Sequence, residues 1–278
     1  MRGRGKRVVF LLGAFSLCAI GWSRQAGLAS AAAAASAPAQ QRGPRESAFW
    51  ERAKEEVYKS PEELLAQAAR EKRRGLAYDR LARGNPKDKT VALTFDDGPH
   101  PQFTPQLLDI LQRNNVRATF FVVGEMAEQY PDLIRHERSA GHVIGNHTYH
   151  HVNLTKIPVA EVLIEWDACQ HVVEAVTGER MHFCRPPGGD YDDTVIRAAM
   201  ALGLTTVLWT DDPGDYASPG DTVIRRRVLD RVSNGGIILL HDGIQQTIDV
   251  LPQIIQHLKG KGYRFVTVAE MEAQTRHR

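Results

Sequence analysis

From Thr90 onward, short apolar runs alternate with longer stretches in which apolar residues recur every three or four positions. The runs at 91–95, 118–122, 142–146, 182–185, 205–209, 237–240 and 264–268 are bounded by Gly, Pro or polar residues and predict strands. Between them, 105–113, 127–139, 159–176, 193–202, 219–232 and 248–260 carry the helical period. Strands that are apolar throughout and separated by helices imply a parallel sheet covered on both faces. Seven such units predict an α/β fold, a distorted (β/α) barrel of about seven parallel strands.

Upstream of Thr90 the pattern changes. Residues 47–59 and 61–74 read as two short charged helices, the second opened by Ser60 as N-cap, Pro61 at the first helical position and Glu63 two residues on. Leu64, Leu65, Ala68 and Ala69 give that helix an expected apolar face. Residues 29–44 are Ala, Ser, Pro and Gln with little to bury, the composition of a linker. Before them come a basic start, Met1 to Arg7, and an apolar run at 8–20, with A-x-A cleavage choices in the small-residue tract that follows. That apolar run is shorter than the ~18 residues that suggest a spanning helix, so a cleaved secretory signal peptide is expected ahead of a retained anchor. The expected division is 1–39 as signal peptide and Ala-rich tract, 40–86 as linker and helical extension, and 87–278 as the main domain. Export follows, to a secreted, periplasmic or cell-envelope location, with membrane association only if the leader stays as an anchor.

Composition adds exclusions. Hydrophobic residues at 42% and charged residues at 24% are those of a globular protein and rule out a collagenous or wholly disordered chain. Of the charges behind the net +2, five positive ones (Arg2, Arg4, Lys6, Arg7, Arg24) lie in the leader, so the remainder is net −3. No basic stripe suggests nucleic acid. Outside the leader only Cys169 and Cys184 remain, too few for a disulfide framework although an exported chain could join them in one bridge.

The polar residues locate the chemistry. Asp96-Asp97, His147, Arg185, Asp212 and His241 each follow closely on a strand run, at the rim where barrel enzymes place catalytic groups. An acidic turn alone is ordinary. His147 and His151, however, are spaced i, i+4, so in a helical turn their imidazoles share one face, as two ligands of a single metal require. His150 would point away, to the surface or to a supporting partner. Two histidines and a carboxylate leave coordination positions open and suit Zn²⁺ or another divalent transition metal.

Here the sequence resembles the NodB-type polysaccharide deacetylases, carbohydrate esterase family 4. Thr94-Phe95-Asp96-Asp97-Gly98-Pro99 matches the first family motif and His147-Thr148-Tyr149-His150-His151 the second. Arg185-Pro186-Pro187-Gly188-Gly189, Asp212-Pro213-Gly214-Asp215-Tyr216 and Leu239-Leu240-His241 resemble the third, fourth and fifth, in family order. The resemblance implies a metal-dependent hydrolase that removes acetyl groups from N-acetylated glycans, peptidoglycan or chitin-like, and one divalent transition metal, zinc first. It implies Asp97, His147 and His151 as metal ligands, Asp96 as base, His241 as acid, Asp215 orienting His241, and Arg185 tuning Asp96. It further implies that the Gly188 N–H stabilises the oxyanion and that Tyr216 and Leu239 line the methyl pocket.

Two positions depart from the family pattern. Gly188 stands where Tyr is usual and Tyr216 where Trp is usual. The first predicts a wider groove, which Tyr191 could refill; the second adds a hydroxyl to the methyl pocket. The competing readings are an O-acetyl esterase on xylan-like glycans, a hydrolase of a small cyclic amide, and a catalytically silent glycan-binding module.

Overall fold

The computed structural model describes residues 49, 50, 53, 56–76 and 78–276. The expected leader and Ala-rich tract, and part of the first extension helix, lie outside the described residues; that helix, expected over 47–59, is corrected at its end, since residues 56–59 are not helical. Among the described residues, no helix is long and apolar enough to cross a membrane.

Strands β1 (Arg80–Leu81), β2 (Thr90–Asp96), β3 (Thr119–Val122), β4 (Val143–Asn146), β5 (Phe183–Cys184), β6 (Thr205–Val207), β7 (Gly236–His241) and β8 (Arg264–Phe265) form one parallel sheet. The order is β1-β6-β5-β4-β3-β2-β7, with β8 also on β2. The seven expected strands are therefore present in the parallel barrel arrangement. Beyond β6 the chain reaches β7: Asp211 bridges Ile238, and Leu239 donates its N–H to the Asp211 carbonyl at 2.9 Å. That contact closes the ring on the side opposite β3.

β2 is the central strand. It pairs with β7 on one edge and with β3 and then β8 on the other, and every one of its residues is buried. This explains why it reads as an unbroken apolar run. In the β2–β7 register Thr94 faces Leu239 and Asp96 faces His241. Since side chains alternate along a strand, these four residues share one face, so the sequence spacing itself delivers Asp96 and His241 to the same place. Beneath them, Phe95 and Phe120 stack at 5.2 Å between ring centroids within the core. Each fully buried side chain of this size contributes roughly 1.5–3 kcal/mol.

Several expected elements are shorter or divided. The expected helix 127–139 is two helices, Gly124–Gln129 and Pro131–Ser139, broken at Tyr130 because the residue before a proline is pushed out of the helical region. The last expected strand, 264–268, stops at Phe265, and a helix begins at Val268. β1 was not expected, being two residues long with no period to read. Helix α1 (Pro61–Arg73) has the full capping box, with Ser60 Oγ accepting from Glu63 N at 3.2 Å and Glu63 Oε2 from Ser60 N at 2.8 Å. Its expected apolar face is corrected: Leu64 is buried but Leu65 is exposed, and the buried partner two turns further along is Glu71, paired with Arg80.

Candidate active site

The turn after β2 bends at once, with Asp97 at φ 75°, and both Asp96 and Asp97 carboxylates face His147 Nε2. Asn146, ending β4, accepts the Thr148 N–H on its side-chain oxygen at 2.9 Å and donates its amide to the Trp166 carbonyl at 2.8 Å. The segment from His147 to His151 is not the helical turn expected from the i, i+4 spacing. Thr148 and His151 both have positive φ, 67° and 56°, and Thr148 Oγ1 accepts the His151 N–H at 3.0 Å. The loop nevertheless brings the two imidazoles together, ring centroids 4.9 Å apart.

His147 Nδ1 lies 2.7 Å from the Arg185 carbonyl, an acceptor, so that nitrogen carries the proton and Nε2 keeps its lone pair. Nε2 of His147 is 3.5 Å from Asp97 Oδ1, and Nε2 of His151 is 3.1 Å from the same oxygen. All three ligand atoms lie within 4.8 Å of one another, each is buried, and each lacks a hydrogen-bond partner. Buried polar atoms are normally satisfied. Three orphans converging on one point, two nitrogens and a carboxylate oxygen, fit a divalent transition metal. Burial alone would raise the Asp97 carboxyl, but the facing His151 and His147 imidazoles outweigh it and hold Asp97 well below the usual carboxylate range. His150 turns outward: its ring pairs with Glu165 at 2.7 Å, and Glu165 also accepts the backbone N–H groups of Tyr149 and His150.

Beside the triad, Asp96 Oδ1 accepts from Arg185 Nη1 at 2.7 Å, while Oδ2 has no partner and lies 3.8 Å from His147 Nε2. Arg185 is fully buried, with Nη1 also donating to Thr94 Oγ1 at 2.9 Å and Nε to the Val207 carbonyl at 3.2 Å. Its guanidinium lies 4.2 Å from the Phe121 ring centroid. A planar donor fork tolerates this enclosure better than an ammonium would.

The third grouping is His241 with Asp215. Tyr216 donates its N–H to Asp215 Oδ1 at 3.0 Å, and Thr247 donates its hydroxyl to Oδ2 at 2.6 Å. His241 Nε2 is unpartnered. Asp212, also at the rim, instead closes its own loop by accepting the Gly214 N–H at 2.8 Å. Leu239, two residues before His241, is fully buried. Tyr216 meets His241 edge-on at 5.3 Å.

Gly188 has φ 62° in the short turn Pro187–Gly189. The room it leaves is not open groove, contrary to the sequence expectation: a Cβ there would lie 2.5 Å from Glu56 Oε1 and 2.6 Å from the Val57 carbonyl. Nor does Tyr191 refill a wall, since its hydroxyl takes a hydrogen bond from Arg80 at 3.1 Å on the α1 side. Sequence reasoning also missed Tyr58, which stacks on Tyr216 at 4.1 Å and meets His241 edge-on at 4.9 Å. The only signal for it was the density of aromatic residues, Phe49, Trp50 and Tyr58, in an otherwise charged extension.

A parallel barrel whose rim joins three convergent ligand atoms that could hold a metal to a buried carboxylate and a carboxylate-bound histidine has the layout of a hydrolytic α/β-barrel enzyme. The polysaccharide deacetylase family model matches residues 83–207. The chain is 40% identical over 189 residues to a peptidoglycan-N-acetylglucosamine deacetylase of Bacillus cereus, covering 66% of this chain and 88% of that protein. It is 33% identical to the peptidoglycan-N-acetylmuramic acid deacetylase PdaA of Bacillus subtilis, over 70% of this chain and 75% of that one. Among solved structures, the Bc1960 peptidoglycan N-acetylglucosamine deacetylase superposes with a TM-score of 0.68 at 37% identity, over 70% of this chain and 92% of that one. The chain belongs to the polysaccharide deacetylase family, carbohydrate esterase family 4, and is a polysaccharide deacetylase.

Proposed function

We propose that this enzyme removes the acetyl group from N-acetylated sugars of peptidoglycan, outside the cytoplasm, with one divalent metal, zinc first. The observation that carries the reading is the convergence of Asp97, His147 and His151 as partnerless ligand atoms beside the Asp96–Arg185 and His241–Asp215 pairs. The peptidoglycan substrate is favoured over chitin-like and xylan-like glycans because the similar proteins above carry peptidoglycan in their names.

A zinc ion held by Asp97, His147 and His151 would polarise the acetyl carbonyl and make water a nucleophile near neutral pH. Asp96 Oδ2, free and facing the triad, takes a proton from the attacking water, while Arg185 occupies Oδ1 and so leaves Oδ2 the only oxygen available. The Gly188 N–H is assigned to the developing oxyanion, a role that needs a backbone donor and no side chain. His241 Nε2 delivers a proton to the departing amine as the carbon–nitrogen bond breaks. Water and amide become acetate and amine. Leu239 and Tyr216 line the end of the cavity that takes the methyl group.

Residues 1–39 are read as the cleaved export leader, 40–86 as the extension and 87–278 as the catalytic domain. Acetate release from acetylated peptidoglycan, chito-oligomers and acetylated xylan, with and without chelator, tests the reading. Release from peptidoglycan that stops on chelation and returns with zinc is expected. Full activity in metal-free protein, or release from xylan alone, overturns it.

A further inference from the structure

A hydrolase acting on a polymer must open its acid and base to that polymer, yet Asp96 and His241 are each only 1% exposed. Over His241 lies the chain's own extension. Lys59 donates its N–H to the Gly188 carbonyl at 2.9 Å and pairs its ammonium with Asp190 at 2.7 Å, which lays residues 56–59 along the Pro187–Gly189 turn. Glu56 and Val57 fill the room beside Gly188. The Tyr58 ring lies against both Tyr216 and His241, and its hydroxyl is buried with no hydrogen-bond partner. Further upstream, the Trp50 ring lies 4.6 Å from that of His100, and the Phe49 ring 6.0 Å from that of His151.

We propose that residues 56–59, anchored upstream by Phe49 and Trp50, are a self-inhibitory strap that occupies the acetyl-binding end of the cleft and competes with the glycan for it. The inference rests on the deacetylase reading above. Three observations separate a strap from a permanent wall of the substrate pocket. A wall beside a substrate leaves the reacting atoms reachable, whereas Asp96 Oδ2 and His241 Nε2 are both sealed without partners. A side chain built into a permanent wall normally has its polar atom satisfied, and an unpaired buried hydroxyl such as that of Tyr58 weakens the closed arrangement. The strap also ends at Ser60, where the capping box of α1 begins, so it can leave while α1 stays capped and docked through Leu64.

A strap of this kind acts as an intramolecular competitor. Only the open fraction binds substrate, so the apparent KM rises by the inverse of that fraction while kcat is unaffected.

The test uses the full, zinc-loaded chain with Tyr58→Ala and, separately, Trp50→Ala, which touches His100 and none of the reacting groups. KM and kcat are measured on an aryl acetate and on an acetylated chito-oligomer, together with the rate at which dipicolinate strips zinc. The expected result is a KM lower by about tenfold or more on both substrates, kcat within about twofold, and zinc stripping faster by about tenfold. If Tyr58→Ala does not fold, Trp50→Ala decides by the same readouts. A higher KM or lower kcat with unchanged zinc stripping overturns the strap and makes Tyr58 a fixed wall. Faster stripping in variants that, like the parent, hydrolyse neither substrate keeps the strap and removes the deacetylase reading instead.

Discussion

Asp215 holds His241 at two points: Oδ1 lies 2.7 Å from the ring Nδ1, and Oδ2 accepts the His241 backbone N–H at 2.8 Å. The ring therefore cannot rotate without losing the carboxylate, and Nε2 stays aimed into the site. Burial by itself would lower the imidazole, but the Asp215 carboxylate outweighs it and pushes His241 up to about 9. A histidine that is charged at neutral pH and has a free Nε2–H is equipped to protonate a leaving amine.

In metal-free protein, the His241 ring should therefore titrate near about 9 by NMR. Asp215→Asn should lower it substantially, because the carboxylate that contributes most against burial is removed and only the Asp97 and Asp96 carboxylates still oppose it. The stability consequence has a definite sign. A folded-state value raised above the ordinary 6.5 stabilises fully below pH 6.5 and loses that contribution as pH rises through about 9. The urea midpoint of the parent should fall across that window more than that of Asp215→Asn. Ordinary titration of His241 in both proteins would exclude the pairing.

His147→Ala and His151→Ala should each lower zinc content after dialysis and abolish turnover, because each removes one of three convergent ligand atoms. His150→Ala removes only a loop contact through Glu165, which touches none of the three ligands, and should leave zinc content and turnover far less affected. Metal analysis of the three variants side by side checks this. Equal losses at positions 150 and 151 would mean that the ligand has been misassigned.

Asp96 and Arg185 should separate rate from stability. Asp96→Asn can still accept from Arg185 and should fold, while losing roughly 10²–10⁴ in rate with zinc retained. Arg185→Met leaves the Asp96 carboxylate buried without its partner and should destabilise by about 3–5 kcal/mol. Denaturant unfolding alongside acetate release distinguishes them. An Asp96→Asn variant with near-parental kcat would remove Asp96 as the base.

The strands and their ends were legible because both faces of this sheet are covered, which makes each strand an apolar run closed by the first polar residue of the rim. Asp96, His147, Arg185 and His241 stand out for that reason, and the β2–β7 register places the first and last of them together. The i, i+4 spacing of His147 and His151 pointed to two rings that do lie together, but through a helical turn that the loop does not form. Left-handed residues at Thr148 and His151 are set by the hydrogen bonds of Asn146 and Thr148, which no periodicity encodes. The approach of Tyr58 to Tyr216 and His241 joins residues more than 150 positions apart along the chain. A charged extension gives no local pattern for such a contact.

Cys169 and Cys184 are free and buried, so the bridge left open by the sequence is not formed. Burial pushes the Cys184 thiol up to about 12 and the Cys169 thiol higher still. Neither should react with a maleimide in the native protein, and both should react once it is unfolded without reductant. Two thiols labelled only after reduction would show a bridge.

Gly188 offers the sharpest test of how the extension and the site are matched. Its φ of 62° disfavours any side chain by roughly 1–2 kcal/mol, and a Cβ would run into Glu56 and the Val57 carbonyl. Gly188→Tyr, the residue usual in the family, therefore cannot coexist with residues 56 and 57 where they lie. If the turn keeps its conformation, those residues must leave. Zinc stripping should then accelerate as in Tyr58→Ala, KM on an aryl acetate should fall, and adding Tyr58→Ala should produce little further change, since both substitutions displace the same segment. If the backbone of the turn yields instead, the oxyanion N–H is misdirected: kcat on the aryl acetate should collapse while zinc stripping stays at the parental rate. The two outcomes move different quantities, so one variant measured both ways decides whether the missing side chain at 188 serves to seat the extension or to hold the backbone donor in place.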